Sequence, residues 1–410
     1  MPPITKPHKF TIGVALDGAG WHPAAWREAD ANPRGLFSAE YWAELAGLAD
    51  AAGLDYATFE DTLSQPATRG DRVTGRLDAL LTASWIAPRT TDIGLIPTVT
   101  VTHTEPFHVA TALQTLDHLS GGRGGWQLRV SADRASAAAF GRREAPHVEL
   151  GRVAAGEPGA DLEGILDEAA DVAEVARRLW DSWDVDAEIR DTDTGRFLDR
   201  DRVRHINFVG ERFSVVGPSI VPRSPQGQLP VTVLSHAPRV HELAAASADV
   251  VFITPANESP LAGASSGRSV SELVAEVRLA EQRVGRDELG LDPLRIVADL
   301  VVAIDAADES AVDRLDRLDA LAGEPFESDA RTVAGSAAGV AALIEQWRDA
   351  GIDGVRLRPL TLPGDLRRIT TDLLPLLRER GIAEEPLAGA APRTLRERFD
   401  LAPILQEARA

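Results

Sequence analysis

The sequence contains no cysteine among its 410 residues. This absence excludes disulfide bonds, thiolate nucleophiles, iron–sulfur clusters and cysteine-ligated zinc sites. No apolar run approaches the roughly 18 residues that a membrane helix needs. The first nine residues hold three prolines and no apolar stretch, which is unlike a signal peptide. We therefore expect a cytoplasmic location.

Positive charge is also in short supply. The chain has 43 Lys and Arg against 63 Asp and Glu, a formal net charge of -20. A surface of this sign repels phosphate backbones and anionic membranes, so neither nucleic acid nor a membrane is expected as a partner. His236 and His241 lie five residues apart with no carboxylate at ligand spacing, so no metal site is predicted.

What the sequence does contain is a repeated alternation of short apolar runs and amphipathic segments. Eight runs predict strands at residues 10–16, 56–59, 93–101, 126–131, 231–235, 250–254, 295–304 and 354–360. Almost all are followed by helical patterns, which indicates a parallel sheet covered by helices. Eight such units close most simply as a (β/α)8 TIM barrel. An open doubly wound sheet is the alternative, but no strand is followed by GxGxxG or GxxxxGKS.

The second half of the chain begins with an excursion from this repeat. Residues 162–183 predict a long periodic helix after the fourth strand. Residues 184–230 are polar and rich in Pro and Gly, which predicts an insertion with short strands near 206–209 and 212–216. We expect one domain over 1–410, with this insertion and a C-terminal extension at about 381–410.

One segment carries a specific resemblance, TLDHLSGGRGGWQ at 115–127. Further matches follow the same order along the chain: GWHPAAWR at 20–27, EPFHVAT at 105–111, GPSIVPRSPQG at 217–227, GIDGV at 351–355 and TLRERF at 394–399. Together they resemble the bacterial-luciferase-like flavin-dependent monooxygenase superfamily, in the branch with nitrilotriacetate, dibenzothiophene-sulfone and long-chain alkane monooxygenases. The resemblance implies a (β/α)8 barrel, in agreement with the strand pattern. The glycines of 115–127 favour tight packing at the N-terminal face, so they indicate fold more than chemistry.

The resemblance also implies an activity. Members use reduced FMN from a partner flavin reductase, together with O2, to oxygenate a small organic substrate, and they commonly form homodimers or larger homo-oligomers. Four polar residues near the ends of strands 2 to 4 match positions around the flavin ring: Asp61, Thr100, Gln127 and Ser131. No catalytic residue is identified, but His22 and His103 follow strands 1 and 3 and are candidates for substrate contact or proton transfer.

The phosphate end of the implied flavin site departs from the family pattern. Ala237 stands where the family has a serine after strand 5, and Leu166 stands where it often has a tyrosine. Ser235 and Arg239 remain as candidate phosphate contacts, Arg239 as a cation near a helix N-terminus. Two alternatives therefore stay open: an F420-dependent dehydrogenase, and a non-catalytic paralogue that has lost FMN and acts as a partner subunit.

Overall fold

The computed structural model describes residues 9–64, 69–145, 159–256, 267–385 and 391–404. Eight parallel strands form its barrel: β1 (Thr11–Leu16), β2 (Tyr56–Phe59), β3 (Gly94–Thr100), β4 (Trp126–Arg129), β9 (Val231–Ser235), β10 (Val250–Ile253), β11 (Arg295–Ile304) and β13 (Gly354–Pro359). Each pairs with the next in this order, and β13 pairs back with β1, which closes the sheet. The predicted (β/α)8 barrel is confirmed.

The barrel is surrounded by helices that begin and end at recognisable capping residues. They are α1 (Ala39–Ala52), α2 (Ala79–Ile86), α3 (Pro106–Ser120), α4 (Arg134–Phe140), α5 (Ala160–Trp180), α6 (Pro238–Ser247), α7 (Val270–Val284), α8 (Ala311–Ala322), α9 (Ala337–Asp349), α10 (Gly364–Arg368), α11 (Leu374–Glu379) and α12 (Leu395–Arg398). For example, α1 begins after Ser38, whose side chain accepts from the Tyr41 N–H, and ends at the left-handed Gly53. No helix among the described residues is long and apolar enough to span a bilayer.

A ninth parallel strand, β12 (Arg331–Gly335), was not predicted. It pairs with residues 300–304 of β11, whereas β10 pairs with residues 295–298. On its other edge, β11 pairs with β13 through residues 297–302. Strand β12 therefore pairs with the same edge of β11 as β10 does, beyond the point where the pairing with β10 ends. All five residues of β12 are only half-buried, so its sequence lacks the apolar run that marks the other strands.

The predicted insertion is present between α5 and β9. It contains two antiparallel hairpins, β5 (Glu188–Asp191) with β6 (Arg196–Leu198), and β7 (Phe208–Val209) with β8 (Ser214–Val215). The second hairpin lies where short strands were predicted. The first was missed because its two short strands mix charged and apolar residues, all exposed or half-buried, and form no apolar run.

The C-terminal segment around α12 closes the N-terminal end of the barrel. The Phe399 ring lies 5.0 Å from the ring of Tyr56, the first residue of β2. The Leu395 N–H donates to the Gly122 carbonyl at 2.9 Å, so this segment packs on the glycine-rich motif. A Cβ on Gly125 would lie 2.5 Å from Leu395 Cδ2 and 3.0 Å from Ile96 Cγ1. The best-matching motif therefore builds the floor of the barrel.

This packing gives a stability prediction. Gly125→Ala forces a methyl group into a filled site, and we expect it to lower the free energy of unfolding by about 1–3 kcal/mol. Gly47→Ala is the matched control, because Gly47 is half-buried in α1 and no atom of the described residues lies within 4 Å of its Cβ position. The control substitution should leave the free energy of unfolding unchanged or raise it by up to about 1 kcal/mol. Urea unfolding measures both, and equal effects would contradict the assigned packing.

Candidate functional site

A network of buried charges fills the interior of the barrel beneath its C-terminal mouth. Arg356 donates from Nε and Nη2 to the two carboxylate oxygens of Asp299, at 2.7 and 2.6 Å. Arg358 also donates to Asp299. All three side chains are almost completely buried. Two guanidinium groups therefore share one carboxylate, which is tolerable in a barrel interior only with further polar partners.

Two of those partners come from other strands of the barrel, Gln127 from β4 across the interior and Glu60 from the end of β2. The Gln127 side-chain oxygen accepts from Arg356 Nη1, and Glu60 Oε1 lies 3.5 Å from the same nitrogen. The Arg356 guanidinium also lies 3.9 Å from the centre of the Phe252 ring, a cation–π contact. The predicted site residue Gln127 thus faces the interior and is held by an arginine that sequence analysis did not single out.

The sequence carried a signal for this network. Arg356 and Arg358 are two apart on one strand, so their side chains point to the same face. Asp299 interrupts ten residues of β11 that are otherwise mostly apolar, and its register partner on β13 is Arg356. Charged residues at alternate positions of a buried strand indicate an interior network. The pairing itself joins residues 57 positions apart.

The predicted ring-side residues lie at the ends of three neighbouring strands. The Asp61 carboxylate accepts from the N–H groups of Thr62 at 2.7 Å and Ala79 at 2.9 Å, so it orders the loop after β2. The Ser131 N–H donates to Thr102 Oγ1 at 2.7 Å. Both residues lie at the mouth, and the Asp61 carboxylate and the Ser131 N–H already form hydrogen bonds with residues of the neighbouring loops.

Thr100 completes this group. It is the last residue of β3 and stands in register with Arg129 of β4. Arg129 in turn donates to the Asp61 carbonyl at 2.6 Å, which ties the ends of β2 and β4 together across Thr100. The structure therefore brings Asp61, Thr100 and Ser131 together at the barrel mouth, whereas Gln127 lies deeper, in the buried interior network.

The second predicted group surrounds the start of α6. Ser235 Oγ lies 2.7 Å from His241 Nδ1, and both side chains are buried. Ala237 precedes α6 and offers no side-chain cap. Leu166 is 1% exposed and packs in the main core cluster, where it makes no polar contact.

Arg239, in the first turn of α6, is heavily compensated. Its guanidinium lies 2.6 Å from Glu163, 2.9 Å from Asp167 and 3.5 Å from Glu242. One cation thus stands among three carboxylates. A phosphate placed here would meet net negative charge, so this end does not fit the phosphate contact that the family pattern implies.

The two candidate histidines differ in what they offer. His22 Nδ1 accepts from the Ala24 N–H at 3.0 Å and Nε2 lies 3.0 Å from Asp319 Oδ1, so both nitrogens serve the loop after β1. The His103 ring stacks on Phe140 at 5.4 Å, and its buried Nε2 has no hydrogen-bond partner among the described residues. Burial lowers the pKa of both rings, and the Arg143 cation lowers that of His103 further.

A cleft beside the ends of β1 and β2 was not predicted. It is partly open to solvent, and its wall includes four aromatic side chains: Trp26, Phe37, Trp42 and Phe59. Asp17 also lines it. Burial raises the pKa of the Asp17 carboxyl to about 6, an effect opposed by Arg76 at 3.4 Å. Among the described residues, no group of histidines or carboxylates is suited to hold a metal ion.

The shared carboxylate gives the first prediction for this region. Asp299→Asn leaves two buried arginines without their common counter-ion, and we expect it to destabilise the fold by about 3–5 kcal/mol. Asp186→Asn removes one carboxylate from an exposed pair with Arg202 and should change stability by less than about 0.5 kcal/mol. Chemical denaturation measures both variants. A small effect of Asp299→Asn would refute the proposed dependence on this ion network.

The raised pKa of Asp17 leads to a second prediction, on how stability depends on pH. Between pH 3.8, the ordinary pKa of an aspartate, and about pH 6, the folded state binds more protons than the unfolded state. The free energy of unfolding therefore falls as the pH rises through that window. Asp17→Asn removes this loss. We expect the free energy of unfolding of the variant, relative to that of the parent, to increase by on the order of 1–2 kcal/mol between about pH 4 and pH 7. The increase is smaller than the full pKa shift would give, because Asp17 is partly exposed. Denaturation at both pH values tests this, and a constant difference would contradict it.

Comparison with known proteins agrees with this architecture. N-acetyl-S-(2-succino)cysteine monooxygenase of Bacillus subtilis (strain 168) is 29% identical over 97% of this chain and 98% of its own length. Nitrilotriacetate monooxygenase component A of Aminobacter aminovorans is 32% identical, over 60% of this chain and 53% of its own. The crystal structure of a long-chain alkane monooxygenase has a TM-score of 0.79 and 21% identity, with 96% of each chain covered. The luciferase-like monooxygenase family matches residues 19–354, and the chain belongs to that family.

Proposed function

We propose that this chain is a monooxygenase that uses reduced FMN and O2 to oxygenate a small organic substrate at the C-terminal mouth of its barrel. The observation that supports this most directly is the aromatic cleft beside Asp17. It lies at the strand ends where TIM barrels place their active sites. The end-to-end likeness to a monooxygenase supports the same reaction class.

The ring end of an FMN molecule fits the residues at the mouth better than its phosphate end fits α6. Asp61, Thr100 and Ser131 present polar groups on adjacent strand ends, as a flavin ring requires. At α6, by contrast, Arg239 is already compensated by three carboxylates. We therefore propose that the flavin is held mainly by its ring. When bound, reduced FMN would supply the electrons for O2 activation.

The chain's own residues would shield and position the reaction. Trp26, Trp42 and Phe59 would exclude water from the cleft. Asp17, with its pKa raised to about 6, would accept and release a proton at its carboxyl near that pH. His103 Nε2, which is buried and meets no partner in the part of the chain that the structure describes, is the second group available for a proton or a hydrogen bond.

The proposed partners follow from the same family. We propose a flavin reductase as the source of reduced FMN, a homodimer or larger homo-oligomer as the assembly, and the cytoplasm as the location. The insertion supports an assembly surface, because it exposes apolar side chains that water does not favour: Phe197, Val209, Val216 and Ile220.

The cofactor proposal is tested by anaerobic titration with reduced FMN and with reduced riboflavin. We expect both to bind, with dissociation constants within about threefold of each other, since the phosphate gains little at α6. Glu163→Gln removes one carboxylate beside Arg239 and should tighten FMN binding by about three- to tenfold without affecting riboflavin. The matched control is Glu174→Gln, which lies on the same helix and pairs with Arg178 instead.

Other outcomes separate the alternatives. Failure to bind either flavin, with no binding of F420, at about 50 μM would refute the monooxygenase proposal and favour the non-catalytic partner subunit. This second candidate is supported by Leu166 and Ala237, which cannot bond a phosphate through their side chains. Binding of F420 alone would instead favour the dehydrogenase. If FMN binds, oxygen uptake with a reductase present distinguishes oxygenase from dehydrogenase.

A further inference from the structure

We propose that Arg358 and His236 form a carboxylate-binding site at the mouth of the barrel, and that Asp329 lies on it as an internal substitute for a substrate carboxylate. The proposal names the substrate class of the monooxygenase, a small organic carboxylate. It rests on the proposed function for its catalytic meaning, but the binding site itself does not require a flavin.

The contacts of Asp329 resemble those of a bound ligand. Arg358 donates from Nη1 to Asp329 Oδ1 at 2.6 Å and from Nη2 to Oδ2 at 3.4 Å, the two-pronged geometry that suits a carboxylate. His236 Nε2 lies 3.5 Å from Asp329 Oδ2. The Arg358 side chain is 1% exposed, whereas that of Asp329 is 43% exposed. A carboxylate in contact with solvent thus covers a buried cation.

The cationic half of the site is fixed from below and from the sides. Asp299 holds Arg358 from within the barrel, and the Trp21 ring lies 4.4 Å from its guanidinium. The His236 ring is oriented by Thr254, whose Oγ1 lies 2.9 Å from Nδ1 and leaves Nε2 toward Asp329. Side chains held on strand ends in this way are pre-organised for a ligand.

The anionic half, by contrast, is supplied from outside the barrel. Asp329 belongs to residues 323–330, which connect α8 to β12. The same connection is tied across the mouth by Glu324, which pairs with Arg69 and Arg72 of the loop after β2. Both of those pairs are exposed, so each holds the connection in place with about 1 kcal/mol or less. An external carboxylate can therefore compete with Asp329 for Arg358.

The charge balance favours a carboxylate over a phosphate. Arg356 and Arg358 carry two positive charges, and Asp299 and Glu60 carry two negative charges within the same network. Asp329 adds a third negative charge at the mouth. A single carboxylate group that replaces Asp329 leaves this balance unchanged, and the second carboxylate of a dicarboxylate such as succinate can remain in solvent. A doubly charged phosphate would place both of its charges beside Arg358 and add one that the network does not compensate.

The test is calorimetric titration of the full chain with succinate, in the absence of flavin. Asp329→Asn removes the internal competitor at constant shape, and we expect it to bind succinate about tenfold more tightly than the parent. The control, Asp186→Asn, removes one charge of similar exposure, 41% against 43%, from a pair with Arg202. It should stay within about twofold of the parent. Succinamide, the neutral analogue, should not bind to any variant.

The arginine is tested in the Asp329→Asn background. Arg358→Gln should abolish succinate binding. Arg358→Lys keeps the positive charge but cannot donate two parallel hydrogen bonds to one carboxylate, so it should weaken succinate binding at least about tenfold. The lysine variant keeps the proposal falsifiable if the glutamine variant does not fold. Equal succinate affinity in Asp329→Asn and Asp186→Asn, or equal binding of succinamide, would overturn the proposal. Succinate binding without flavin binding would leave this site standing while the proposed function fails.

Discussion

The carboxylate of Asp299, shared by two buried arginines, is the constraint on which the mouth of this barrel depends. Closure of the eight strands brings β11 beside β13, and their register places Asp299 opposite Arg356. Two guanidinium groups in a barrel interior need more than one counter-ion and more than one acceptor. The network therefore extends to Glu60 at the end of β2 and to Gln127 on β4, across the barrel interior. The positions of the polar groups at the mouth follow from this requirement.

The two ends of the barrel have separate tasks. At the N-terminal end, Leu395 and Phe399 fill the interior and rest on the glycines of the 115–127 motif. At the C-terminal end, the interior is polar and opens beside the cleft of Asp17. The segment that most resembles the family thus specifies the closed floor. The residues that would select cofactor and substrate lie at the opposite end, on strand ends and loops.

The fold was largely predictable because its strands are continuous apolar runs at regular spacing. Their bounds shifted by a few residues; the fourth ends at Arg129 instead of Ser131 because the ladder stops there. What failed were elements without such runs, namely β12, which is half-buried, and the polar β5–β6 hairpin. For these segments tertiary pairing, and no local pattern, determines the structure.

The site was less predictable, for a related reason. The family resemblance indicated Asp61, Thr100, Gln127 and Ser131, and the structure puts three of them at neighbouring strand ends and Gln127 in the interior below. The resemblance could not reveal that Gln127 faces Arg356, which is 229 residues away. Nor could it show that Arg239 is surrounded by carboxylates of α5, 72 to 76 residues earlier in the chain. Electrostatic partners of this kind are set by packing between distant elements.

The most direct test of the account is a crystal structure of the protein grown anaerobically with reduced FMN. We expect the flavin ring at the C-terminal mouth, in contact with Asp61, Thr100 or Ser131. We expect the phosphate to leave Arg239 paired with its carboxylates. A phosphate bound at the start of α6, with Arg239 released from Glu163 and Asp167, would contradict the ring-held cofactor. A flavin bound away from the barrel mouth would contradict the proposed site itself.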